Sequence, residues 1–396
     1  MRTTSPRGIN KARSKMKKSV LAVSFTMFCL ALLVLSMAHA VPADEAVFSN
    51  LDSTLAFNSG GNRLEGMPAG VSPVVGAGSL EFPSGGNYPE GIGIDESNNV
   101  WIANSHSNKV AELSNAGKLL GTFAVGTEPH GVKIDRAKTQ NIWVENIGGG
   151  GPGAPASCPS NTTGTVTALA PDGRVIGTFC TGGNAPQHAQ FDALGNVWVT
   201  NEGSNTVAEL NGTTGRLINT FPTGHGPHAI GRDQRGNFWI GNYHSGTVTV
   251  LASDGLLLKT IRLVPPSPLA LEPTPTGNAI DSSGGLWQAV QNFNIVQVFA
   301  APPSFALVKS VSVGAEPRGV TIDEAGNVFV ANRQSNDVIQ VTLSGRLVKF
   351  PVGKCPENMA IDSMGDVWVT NSCSSTVSVL SGVAVPSRNS DDDSDG

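Results

Sequence analysis

The chain has 396 residues, of which 47 are Gly and 25 are Pro, and only 14% are charged, for a formal net charge of −5. Gly and Pro break helix interiors, which excludes a helical bundle. The low charge excludes a chain kept unfolded by self-repulsion, and without Gly at every third position a collagen helix is excluded too. A turn-rich, mostly β globular protein remains.

The chain opens with Arg2, Arg7, Lys11, Arg13, Lys15, Lys17 and Lys18 and no acid, followed by an apolar run from Val20 to Met37 and then Ala38-His39-Ala40. A basic start, an apolar middle and a small-x-small site form an export signal. Residues 1–40 are therefore expected to be cleaved and the mature chain to be periplasmic or secreted. Loss of seven of the 26 basic residues leaves 19 against 31 acids, a net charge of −12. So acidic a chain has no electrostatic basis for binding nucleic acid. No later run of 18 apolar residues occurs, so no membrane span is expected after cleavage. Residues 41–77 read as an N-terminal extension.

From residue 78 the sequence repeats itself. The unit is Pro-x-Gly/Ala-x-x-x-Asp, a Gly/Asn turn, Val-Trp-Val-x-Asn, then Ser-x-x-Val-x-x-Leu. Its anchoring acids are Asp95, Asp135, Asp192, Asp233, Asp281, Asp323 and Asp362, at spacings of 40, 57, 41, 48, 42 and 39 residues. A period near 40 with several short strands marks the blades of a β-propeller. The third unit illustrates the four strands, at 187–191, 197–201, 206–210 and 216–221, with Gly195-Asn196 as the first hairpin turn. Trp101, Trp143, Trp198, Trp239, Trp287, Phe329 and Trp368 occupy one position of the second strand, as plugs between neighbouring sheets. The anchoring aspartates are expected to hold the hairpins. The seventh unit lacks an outer strand, and residues 78–83 resemble one. The expected fold is all-β: a single seven-bladed propeller over 78–382, closed by an N-terminal strand that completes the last blade. Residues 383–396, with the run Asp391-Asp392-Asp393, read as a solvated acidic tail. Two irregular stretches, 148–163 and 265–275, break the repeat where binding loops can sit.

The position after each blade-opening Pro starts the innermost strand at the channel mouth. It reads Glu90, His130, Gln187, His228, Thr276, Arg318 and Glu357, a variable polar ring on a constant frame. His188 lies one step further in, and His106, His225 and His244 map to the same face. His130, His188 and His228 come from adjacent blades. With a carboxylate such as Glu90 or Glu357, they are candidate ligands for zinc or another divalent ion, magnesium or calcium. His130 and His228 are also candidate general bases, with Glu145 as a third candidate catalytic residue. Glu90, Gln187, His188, Arg318 and Glu357 are candidate contacts for a small molecule, a glycan or a protein. No P-loop, Gly-x-Ser-x-Gly elbow or Cys-x-x-Cys is present. Four cysteines remain after the signal, an even number that implies two disulfides. Their places in the blades predict the pairs Cys158–Cys180 and Cys355–Cys373.

Val197-Trp198-Val199-Thr200-Asn201-Glu202-Gly203-Ser204-Asn205-Thr206-Val207 and Val367-Trp368-Val369-Thr370-Asn371 resemble YVTN and NHL propeller repeats. Pro129-His130-Gly131-Val132 and Pro227-His228-Ala229-Ile230 resemble the blade starts of virginiamycin B lyase-like proteins, and the resemblance spans roughly residues 78–382. It implies a propeller and, further, a lyase. Those blades usually end their second strand in Glu, whereas Asn104, Asn146, Asn201, Asn242, Asn332 and Asn371 stand there in this chain. Gluconolactonase-like propellers, similar in topology alone, hold a metal at a comparable mouth. Two functions are therefore expected: a monomeric binding or scaffold protein working through its histidine-bearing face, or, alternatively, a metal-dependent lyase or lactonase using the same face.

Overall fold

Each repeat builds an antiparallel sheet, and in the first six blades its four strands pair in chain order. The computed structural model describes residues 73–158 and 162–386, together with the backbone of Ala56–Phe57 and Arg63–Leu64. The expected signal segment and the run Asp391–Asp395 lie outside the described residues. The seven inner strands are Pro89–Ile94, Thr127–Ile134, Pro186–Phe191, Pro227–Arg232, Pro275–Ile280, Pro317–Ile322 and Pro356–Ile361. The second strands are buried along their whole length in six of the blades, as Val197–Asn201 illustrates. Among the described residues no helix is long and apolar enough to cross a membrane.

The hairpin between the first two strands is fixed by its aspartate. In blade 4, Asp233 Oδ1 accepts the backbone N–H groups of Arg235 (3.0 Å) and Asn237 (2.9 Å), while Oδ2 accepts the Asn237 amide (2.9 Å) and the Trp239 indole N–H (3.1 Å). The same indole bond joins Asp95 to Trp101, Asp192 to Trp198, Asp281 to Trp287 and Asp362 to Trp368. A buried indole N–H needs an acceptor, and the aspartate supplies it six residues upstream. Blade 2 has two more residues in this hairpin, and Asp135 turns to the Thr139 hydroxyl instead (2.7 Å). Blade 6 has Phe329, which has no indole to offer. There the Val385 N–H takes Asp323 Oδ2 (3.0 Å). The chain therefore stays bound beyond Gly382, with Ala384 N–H donating to Gly365 O (3.0 Å). Residues 384 and 385, at the start of the expected tail, are docked here through these bonds.

The ring closes as the sequence predicts. Leu80–Pro83 pairs antiparallel with Thr376–Leu380, Val377 opposite Phe82, and the Phe82 ring lies 6.2 Å from that of Trp368. One contact has no counterpart in the repeat: Val74–Val75 adds a parallel fifth strand to blade 6, with Gly76 N–H donating to Lys349 O (2.7 Å).

Neighbouring blades are also latched at the upper face. The left-handed residues Glu128, Gly226, Glu316 and Cys355 each precede a blade-opening Pro. Each of their N–H groups donates to an Asn side chain of the preceding blade: Asn108 (2.9 Å), Asn205 (2.9 Å), Asn294 (3.0 Å) and Asn336 (2.8 Å). A non-glycine residue in this region costs about 1–2 kcal/mol, which the latch offsets. Both disulfides form within single blades as expected, Cys158–Cys180 in blade 2 and Cys355–Cys373 in blade 7.

Because Asp233 is buried and satisfies four donors, Asp233→Ala leaves a hairpin and an indole unpaired. We expect a loss of about 2–4 kcal/mol, measured as a lower denaturant midpoint. A loss under about 0.5 kcal/mol would show that the aspartate does not hold the blade.

Candidate functional site

The inner strands crowd together so closely at the channel that the residue two after the blade-opening Pro is Gly or Ala in five blades. A Cβ on Gly91 would collide with the carbonyl of His130, and one on Gly277 with that of Arg318. Blades 3 and 7 depart from this rule with His188 and Asn358. The His188 ring thus enters the channel from a position where other blades carry almost no side chain. It meets His130 edge-on at a centroid distance of 4.9 Å and lies 5.1 Å from His228, while His130 and His228 are 5.5 Å apart. One donor atom from each of the three falls within 4.8 Å of the others. The trio lines a small, partly open cavity of about 20 Å³ that also takes in Glu90, Thr276, Arg318, Glu357 and Asn358.

Burial lowers the pKa of His130, partly offset by the bond its Nδ1–H donates to Gln187 O (3.2 Å). Burial, with a neighbouring histidine second (His130 for His188, His188 for His228), holds both well below the ordinary value. All three are neutral at pH 7, the state in which imidazole binds metals. His228 Nδ1 is buried without a hydrogen-bond partner. With Nδ1 engaged at Gln187, His130 points Nε2 inward, 3.1 Å from Glu90 Oε2. Burial, then the nearby Glu357, pushes Glu90 up to about 8.

Across the cavity Glu357 is the hub of a charged cluster. Its Oε1 accepts Arg333 Nε–H (2.7 Å) and the Ser372 hydroxyl (2.9 Å), and its Oε2 lies 3.7 Å from Arg318 Nε. Arg333 also donates to Tyr88 Oη (3.2 Å).

Two expected site residues are not at the mouth. Gln187 is buried and does not line the cavity, which His188 lines in its place. Glu145 is fully buried in the second strand of blade 2. Burial raises its pKa to about 8, with Lys133 pulling the other way. His106 stacks on Tyr88 (4.3 Å) and His244 Nε2 sits 3.1 Å from Glu202, so both are rim groups. The missed residues share one rule. Ser105, Glu202, Tyr243, Gln291, Arg333 and Ser372 each follow the second strand directly, a second variable ring one loop away from the first. The Asn residues that end those strands are structural: Asn242, for example, donates to Thr247 (3.0 Å) and Thr249 (2.9 Å) of the next strand.

No protein-family model and no curated protein matches the chain. Solved structures do. Virginiamycin B lyase from Staphylococcus aureus superposes with a TM-score of 0.64 at 13% identity, covering 76% of this chain and 98% of that one. The same figures hold for its catalytically inactive His-to-Ala variant with quinupristin. A streptogramin B lyase gives 0.62 at 15%, covering 76% and 96%, and hydrazine synthase from Kuenenia stuttgartiensis gives 0.62 at 14%, covering 75% and 96%. At such identities the likeness is one of fold.

The buried groups set a pH dependence for the metal-free protein. Glu90 and Glu145 have folded-state pKa values raised to about 8 from 4.5. Their stabilisation is complete below pH 4.5 and is lost as pH rises toward 8. His188 and His228 act the other way, losing stability as pH falls below 6.5. The two trends offset between 4.5 and 6.5. Above 6.5 the carboxyls dominate, and stability should fall by on the order of 1–2 kcal/mol per carboxyl by pH 8. Glu145→Gln should flatten this slope in calorimetric scans at pH 6.5 and 8. A wild-type slope of zero would contradict the assignment.

Proposed function

We propose that the protein is an exported propeller enzyme that holds one divalent metal ion on His130, His188 and His228 and acts on a small molecule in the channel mouth, as a lyase or lactonase. The observation that carries this reading is the convergence of three neutral imidazoles from three adjacent blades. Three nitrogens on one tetrahedral zinc stand about 3.3 Å apart, so a spread within 4.8 Å needs only small side-chain rotations. The nitrogen donor set favours zinc. Magnesium and calcium require mostly oxygen ligands, and Glu357 is already engaged by Arg333 and Ser372.

When bound, such an ion supplies Lewis-acid polarisation of a substrate carbonyl and leaves a coordination position open. With all three histidines as ligands, neither His130 nor His228 remains free as the base. Glu90, 3.1 Å from His130, is the carboxyl placed to hold or move a proton at the substrate. The Gln187 carbonyl orients His130 through Nδ1. Glu145, sealed in blade 2, has no route to substrate.

The likeness to virginiamycin B and streptogramin B lyases supports the lyase form of this reading. The blade-sequence resemblance to YVTN and NHL repeats supports the same architecture. Two disulfides suit an oxidising compartment, in keeping with export directed by residues 1–40. A second reading, a monomeric binding or scaffold protein, is favoured by one observation: the lyase-like Glu145 is buried away from the mouth.

The test is elemental analysis of the mature, untagged protein beside His130→Ala, His188→Ala and His228→Ala. About one zinc per chain, lost in each variant, and turnover in a screen of lactones and cyclic depsipeptides support the enzyme. No metal after incubation with zinc, magnesium or calcium would overturn it.

A further inference from the structure

The cavity has two unlike walls. On one side stand the three neutral histidines. On the other is Arg318, a permanent cation whose Nε is shielded from water and makes no hydrogen bond. The carboxylate nearest to it does not satisfy it: Glu357 Oε2 remains 3.7 Å away, while Glu357 Oε1 serves Arg333 and Ser372. Arg333 is held between Glu357, Glu316 (3.6 Å) and the Tyr88 hydroxyl (3.2 Å), so it is a supporting group rather than a free one. A guanidinium is built for bidentate pairing with a planar oxyanion, and among the cavity's cations Arg318 alone has that capacity unused.

Two aromatic rings flank the groups of this site. The chain has two tyrosines, and both are here. Tyr88 lies in the corner before Pro89, stacked on His106, and Tyr243 lies 5.8 Å from His228. Each hydroxyl is tied down, Tyr88 by Arg333 and Tyr243 to Gln291 (3.2 Å), which fixes the orientation of both rings.

We propose that the site selects a small organic carboxylate, its anionic group paired with Arg318 and its flat, apolar part against the tyrosines. This rests on the reading of the cavity as a ligand site and adds the class of ligand. Arg318 is a specificity residue here, pairing with the ligand's anionic end.

The experiment is calorimetric titration of the full mature protein with acetate, benzoate and 3-phenylpropionate, with benzamide as the neutral counterpart. It is run with and without one equivalent of zinc. Benzoate and phenylpropionate should bind, with acetate and benzamide at least 10-fold weaker. Arg318→Gln should weaken the aromatic carboxylates at least 10-fold while zinc content is unchanged. Glu357→Gln, which removes the competing negative charge, should tighten them severalfold. If Arg318→Gln retains wild-type affinity in the zinc form, the carboxylate sits on the metal and the proposal is overturned. It is also overturned if no carboxylate of the panel binds either form. If zinc does not bind but Arg318-dependent carboxylate binding persists, the enzyme reading fails and this one stands.

Discussion

The fold rests on one repeated bond, from an indole N–H to an aspartate carboxylate six residues upstream. It lets a Trp be buried between two sheets with its only polar atom satisfied, while the same carboxylate closes the hairpin beneath it. Where the bond is missing, its geometry is compensated rather than abandoned. In blade 2 a longer hairpin brings Thr139 to the aspartate, and in blade 6 the C-terminal segment fills the place of the indole. The inner strands sit close enough that Gly is required where backbone meets backbone.

That crowding is what gives the site its form. The channel admits side chains at the position after the Pro in most blades, and side chains larger than Ala at the next position only in blades 3 and 7. His188 uses this exception, and so three imidazoles gather that sequence spacing alone separates by 58 and 40 residues. The left-handed corner before the Pro, held by an Asn of the preceding blade, fixes the direction in which the ring residues leave the backbone.

The propeller, its closing strand and the Trp plugs were legible in the sequence, because each depends on local patterns repeated at a fixed period, and both disulfides were legible from the places of four cysteines relative to the blades. So was the histidine trio, since a variable position on a constant frame stands out. Gln187 was misplaced because a register shift between Pro186 and Ala189 decides which of two adjacent side chains reaches the cavity, and every blade start carries such a shift between its opening strands. Glu145 is a catalytic candidate by its residue type alone, and the second strand of blade 2 is buried from Ile142 to Asn146. The ring that contains Arg333 and Tyr243 was overlooked although it follows the same kind of rule. The pairing of Val74–Val75 with blade 6 and the docking of Val385 have no period, and no local pattern announces them.

The central claim is that His130, His188 and His228 form one metal site. A crystal of the mature protein soaked in zinc, with diffraction recorded on both sides of the zinc absorption edge, tests it directly. The account predicts a single anomalous peak at the channel mouth, about 2.0–2.1 Å from one nitrogen of each of the three rings. No peak there, or a peak bound by fewer than three of them, would contradict it.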